Sequence, residues 1–231
     1  STYAYVANNP IIFIDPDGRQ IDIGQALQHD KNNGTEYTQT ILSDLQEQTG
    51  LTLTYDDSGI LSYEKPDGKL GGSKRARKML MKAIDHKETV TLKLRESGGS
   101  NVPMESDSKE RQNELNIDVN QITSFIEGTS EDLNSKTYGF GMNFLHELGH
   151  TRVGGRKLDF PSGNPESLSS NVKNMNKIRR QLGEDYGQRV DYRVFNVFSD
   201  MGNVYFPFSK QTLKVLKTGQ APTERFVKAP R

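Results

Sequence analysis

The chain has 231 residues, 30 Lys+Arg against 30 Asp+Glu, a formal net charge of zero and no cysteine. That length makes one domain, or one with a short appendage, and the balanced charge excludes a nucleic-acid or membrane-surface binder driven by overall basic excess. No run of about 18 apolar residues marks a membrane span, no basic segment leads into an apolar one as in a signal peptide, and any metal must be held by His, Asp or Glu rather than by thiolates.

Residues 1–18 carry Tyr3, Tyr5, Ile11 and Phe13, interrupted by Asn8-Asn9-Pro10 and Asp15-Pro16-Asp17-Gly18. Spacing and composition predict short extended runs joined by turns. The polar stretch 19–35 reads as a linker. From 36 to 48, Tyr37, Ile41, Leu42 and Leu45 fall on one helical stripe, and Gly50 follows as a stop. The runs 51–55 and 60–63 flank Asp56-Asp57-Ser58-Gly59 and predict a hairpin.

A basic amphipathic helix is expected over 73–86, with Ala76, Met79, Leu80 and Ile84 on its buried side. Residues 89–94 alternate as a strand. Residues 96–113 are polar and read as an exposed loop. A second strand is expected at 114–119, with Leu115, Ile117 and Val119 facing inward, then a polar loop to about residue 137. A helix is expected from about Asn171 to Leu182, closed by Gly183. Residues 192–198 and 204–208 predict a hairpin about Asp200-Met201-Gly202-Asn203, and the basic residues after Lys210 read as a frayed or surface-bound tail. Helices and hairpins alternate irregularly, so the expected class is α+β.

The remaining helix, from about Tyr138 to Gly154-Gly155, holds His146-Glu147-Leu148-Gly149-His150 and so two of the chain's four histidines. Positions i and i+4 lie one above the other on a helix face, so both imidazoles can reach one ion. Glu147 is turned about 100° from His146. It lies beside the pair and can serve as general base for the attacking water. Asn143, His146, Glu147 and His150 form a polar stripe, and Phe140, Phe144 and Leu148 an apolar one.

A catalytic zinc site takes three protein ligands and keeps a fourth position open. His29 and His86 lie far away in sequence, so the third ligand is expected to be a carboxylate. Asp159, just past Gly154-Gly155, is favoured. Glu166, Glu184, Asp185 and Asp191 are the alternatives, and Asn164-Pro165 predict that Glu166 opens a first helical turn. Tyr186, Tyr192, Arg156 and Arg189 are candidates to stabilise a developing oxyanion.

The segment 114–160, with HExxH at 146–150, resembles the zincin metallopeptidases. The resemblance implies a zincin-like fold, bound Zn²⁺ and peptide-bond hydrolysis. It also makes the strand at 114–119 similar to the edge strand along which zincins align a substrate. The metzincin pattern would have Gly at 153 and His at 156, where this chain has Val153 and Arg156. An Asp ligand resembles the aspzincins, whose GTxDxxYG signature is absent apart from a faint echo at Glu184-Asp185-Tyr186-Gly187.

Tyr3-Ala4-Tyr5-Val6, Asn8-Asn9-Pro10-Ile11 and Asp15-Pro16-Asp17-Gly18 resemble the C-terminal end of an RHS/YD-repeat core. In that family the repeats build a shell and a variable toxic domain follows the DPxG segment, often after self-cleavage there. Many members have an apolar residue next, where this chain has Arg19. The implied organisation is RHS core at 1–18, linker at 19–35 and a metallopeptidase toxin domain at 36–231. The expected protein is exported as part of a larger RHS protein and delivered into a target cell. Its expected partners are a peptide or protein substrate, a cognate immunity protein and the RHS shell. Hydrolysis of a cell-wall peptide amide is an alternative. A non-enzymatic RHS-associated module, with structural histidines, is the other.

Overall fold

Alternation of large apolar residues places Val90, Leu92 and Leu94 on one buried face of a strand, β4 (Val90–Arg95). Two short strands flank it in parallel, β1 (Ile21–Asp22) and β5 (Glu114–Asp118), in the order β1-β4-β5. The computed structural model describes residues 20–103 and 107–231. The turns and RHS-like segment expected at 1–18 lie outside them.

The linker expected at 19–35 is, from residue 21 onward, part of the domain. Ile21, Ile23 and Ala26 are fully buried, and Gly24–Asn33 form helix α1. Polar composition misled here because α1 buries little beyond Ala26 and Asp30. Helix α2 (Tyr37–Thr49) follows, ending at Gly50 with φ of 69°, where a left-handed C-cap suits glycine. The hairpin β2 (Thr52–Tyr55) and β3 (Leu61–Glu64) leads to α3 (Lys74–Ile84), whose N-cap Ser73 accepts from the Ala76 amide.

After β5 the polar loop expected up to residue 137 begins instead as a helix, α4 (Val119–Glu127). Asp118 caps it through the Gln121 amide, 3.0 Å away, and Val119, Ile122 and Phe125 are buried at three-residue spacing. Val119 therefore belongs to a helix, not to the strand. Next come α5 (Phe140–His150) and α6 (Ser170–Leu182), which pack together, and α2 also packs on α5. Residues 165–167 form a turn rather than the first helical turn expected at Glu166, and α6 begins only at Ser170.

The C-terminal part is a three-stranded antiparallel sheet of β6 (Phe195–Val197), β7 (Asp200–Pro207) and, after helix α7 (Lys210–Leu216), β8 (Phe226–Pro230). Two expectations change. The hairpin turns at Phe198-Ser199, and Asp200 to Asn203 already belong to β7. The tail is not frayed, since β8 pairs along β7 and buries Val227 and Ala229. One apolar cluster joins the parallel sheet to α1–α5 and reaches Phe206 and Val227 of the second sheet. The architecture is α+β, and no helix among the described residues is long and apolar enough to cross a membrane.

Strand β5 does not present a bare edge. Asn101 bridges Asn116 antiparallel, with amide-to-carbonyl bonds of 3.0 Å in both directions. The expected substrate-aligning edge at 114–119 is thus covered at Asn116 by a segment of the polar 96–113 loop.

Candidate metal centre

Helix α5 carries glycines where helix propensity disfavours them, and packing explains two. A Cβ on Gly141 would lie 2.6 Å from Asp44 Cβ of α2, and one on Gly149 would lie 2.1 Å from Asn171 Oδ1 of α6. The helix ends at His150, and the chain then folds back beneath it. A Cβ on Gly154 would lie 1.7 Å from the Leu148 carbonyl oxygen, and Gly155 takes φ of 93°. The Lys157 amide bonds the Gly149 carbonyl at 2.9 Å. This reversal returns Asp159 to the imidazoles.

His146 Nε2 lies 3.4 Å from Asp159 Oδ2, His150 Nε2 lies 3.1 Å from the same oxygen, and the two Nε2 atoms are 3.3 Å apart. Bonds of about 2.0–2.1 Å in tetrahedral directions set ligand atoms roughly 3.3–3.4 Å apart. Three corners of such a tetrahedron are therefore already laid out. Among the described residues this is the one group of three His or carboxylate side chains that could share a metal ion. His150 Nδ1 donates to the Lys157 carbonyl at 2.7 Å, which leaves Nε2 with the lone pair a metal needs.

Glu147 is buried, and its Oε1 lies 4.0 Å from His146 Nε2, beside the three donors rather than among them. Burial raises its pKa above the usual glutamate value, against the opposing pull of His146 and His150. Asp159 is affected oppositely. Burial would raise its pKa, but His146 and His150 outweigh this and hold it far below the carboxylate range. His150 is raised in turn: burial lowers its pKa, and the bond and charge of Asp159 more than reverse this. A metal at Nε2 would compete with a proton for that lone pair.

The alternative carboxylates are engaged elsewhere. Glu166 pairs with Arg193 at 2.6 Å, Asp191 pairs with Arg193 at 2.8 Å, and Asp185 accepts from Asn134 at 2.9 Å. Glu184 is exposed and lines a different cavity. His86 bonds the Glu88 amide, and His29 sits on α1.

Of the four oxyanion candidates, only Tyr192 lines the cavity of about 320 Å³ over the three donors. Burial, then Tyr138 and Asp159, push its phenol well above the ordinary tyrosine range, so it remains a proton donor. Arg189 lies behind it, its guanidinium carbon 4.3 Å from the Tyr192 ring centre and Nη2 2.7 Å from the Tyr192 carbonyl. Tyr186 is buried on another element, its pKa pushed up to about 12 by burial. Arg156 bonds Gln112 Oε1.

Two parts of the site escape a reading of the sequence. Asn171, fully buried at the start of α6, donates to the His146 carbonyl at 3.1 Å and to Asp159 Oδ1 at 3.2 Å, and lies 3.1 Å from His150 Nε2. Its backbone amide also bonds the Leu158 carbonyl at 2.9 Å. Residues 100–103 form the opposite wall of the cavity. Bonds from the Gly99 amide to Asp118 and from the Ser100 amide to Gln121, each 2.9 Å, anchor that wall. An Asn in a first helical turn ordinarily signals only the helix start, and a Gly/Ser-rich stretch only a loop.

Compared with protein-family models, curated proteins and solved structures, the chain has no significant match to any of them.

Proposed function

We propose that this chain is a zinc-dependent metallopeptidase of zincin type, holding Zn²⁺ through His146, His150 and Asp159. One observation carries it: three donor atoms at tetrahedral spacing, with a buried carboxylate beside them and an open cavity above. When bound, zinc would supply polarisation of the scissile carbonyl and acidify a water molecule. Glu147 takes the proton from the attacking water and delivers it to the leaving amine; its raised pKa suits a group that must both accept and return a proton. Tyr192 donates toward the developing oxyanion. Asn101 covers the β5 edge at Asn116, and an extended peptide would run along the cavity wall formed by residues 100–103.

The RHS-like residues 1–18 support the wider reading of a toxin domain delivered by a larger parent, aimed at a target-cell protein and countered by an immunity protein. Elemental analysis tests the core of the proposal. The purified chain should carry about one zinc, and His146→Ala or His150→Ala should lose it. Equal zinc in all three proteins, or none in any, would leave the histidines structural and the enzyme reading wrong. Glu147→Gln should keep the zinc, lower turnover of a cleaved peptide by about 10²–10⁴-fold, and abolish any toxicity on expression.

A further inference from the structure

Behind the candidate centre, on the far side of α5, lies a larger cavity of about 470 Å³. Its apolar floor includes Leu148 of α5 and Val153 of the following loop, both buried. Its walls bring together five lysines: Lys74, Lys78 and Lys82 from α3, Lys157 from the loop and Lys177 from α6. No acidic residue among the described ones lines it, although the whole chain has as many acidic as basic side chains. None of the five lysines is in an ion pair with another described residue.

Two arginines complete the wall and are held by neutral partners, Arg75 by Asn174 and Arg180 by Gln188. These contacts orient the guanidinium groups without cancelling their charge. The lysines of α3 recur at i, i+4 and i+8, where like charges repel and weaken a helix. Folding thus concentrates positive charge in a concavity that the described carboxylates leave uncompensated.

We propose that this cavity binds a compact polyanion, a small molecule bearing several phosphate groups. Its size is that of a small-molecule site. Nucleic acid is disfavoured because, among the described residues, the lining has no aromatic side chain on which a base could stack. A membrane surface is disfavoured because the charges surround a concavity whose apolar atoms lie on its floor, not at an exposed rim. The proposal is independent of the zinc reading.

Tripolyphosphate is the probe, titrated calorimetrically into chelator-treated chain at about 0.15 M salt so that metal chelation cannot imitate binding. It should bind at least about tenfold tighter than orthophosphate, and the double substitution Lys78→Ala, Lys177→Ala should weaken it by about tenfold or more. Both lysines are exposed, and their loss relieves repulsion, so the variant should melt no lower than the parent. Amide exchange should slow in α3, the 153–157 loop and α6. Unchanged binding in the double variant, or protection elsewhere, would overturn the proposal. So would tighter binding, per phosphate, of a single-stranded oligonucleotide or of anionic vesicles lost through the same two lysines.

Discussion

At the scale of single residues, the centre separates groups that could touch a metal from groups that hold them in place. Asp159 offers a donor atom; Asn171 holds Asp159 and the His146 backbone. Losing an outer partner typically costs about 10–100-fold in metal affinity. Asn171→Ala should fall in that range, and Asp159→Ala should exceed it, since two imidazoles alone hold zinc loosely. Glu166→Ala should leave zinc affinity unchanged and alter stability by no more than about 1 kcal/mol, because it removes only an exposed pair with Arg193. Competition titration with a chromogenic chelator measures all three. If Glu166→Ala strips the metal and Asp159→Ala does not, the ligand assignment is wrong. Gly149→Ala tests the packing that positions Asn171. Its new methyl would meet Asn171 Oδ1 at 2.1 Å, so the variant should lose both zinc affinity and about 1–3 kcal/mol of stability.

At the scale of elements, legibility follows how local the determining signal is. The stripe Ile41, Leu42 and Leu45, the alternation in β4 and the His146–His150 spacing are each complete within one segment, and each corresponds to an element found. Helix α4 is hard to read because its apolar residues, Val119, Ile122, Phe125 and Ile126, sit among polar ones and its cap, Asp118, belongs to the preceding strand. Strand β8 is short and gains its place by pairing with β7, which no pattern in 226–230 announces. Asn171 and residues 100–103 reach the centre only through tertiary folding.

The start of α2 shows the same non-locality with a measurable consequence. Its own N-cap residue, Glu36, makes no side-chain cap bond. Asp30 of α1 does so instead, accepting from Thr38 N at 2.7 Å, Tyr37 N at 3.1 Å and Thr35 Oγ1 at 2.6 Å. Burial would raise the Asp30 pKa, but these bonds prevail and lower it. A carboxylate depressed in the folded state contributes stability that is present above its unfolded pKa, near 3.8, and is lost as pH falls through the lower folded value. Asp30→Ala should cost about 0.5–2 kcal/mol at neutral pH. The gap between variant and parent, followed by urea unfolding, should shrink as pH drops below about 4. A gap that widens on acidification would show that Asp30 is not the cap.

At the scale of the whole molecule, a metal at this centre would tie helix α5 to the irregular segment that follows it. His146 and His150 sit on α5, while Asp159 sits on an irregular segment that spans 151–169 between α5 and α6. That segment is fixed by the Gly154 approach to α5, by the Ser169 amide on the Asp159 carbonyl at 2.7 Å, and by Asn171. A ligand that binds only the folded state stabilises it by about 2.7 kcal/mol at a hundred times its dissociation constant. For a chain of this size each kcal/mol moves the melting temperature by about 2–4 °C. Zinc at that excess should therefore raise the melting temperature by about 5–10 °C over the chelator-treated chain. His146→Ala should abolish the difference while leaving the metal-free melting temperature near that of the parent. Amide exchange should localise the gain to 151–169 and the C-terminal turn of α5. A rise that persists in His146→Ala would mean zinc binds elsewhere, and protection confined to α3 and α6 would place the ion in the basic cavity's neighbourhood instead, against the electrostatics of both sites.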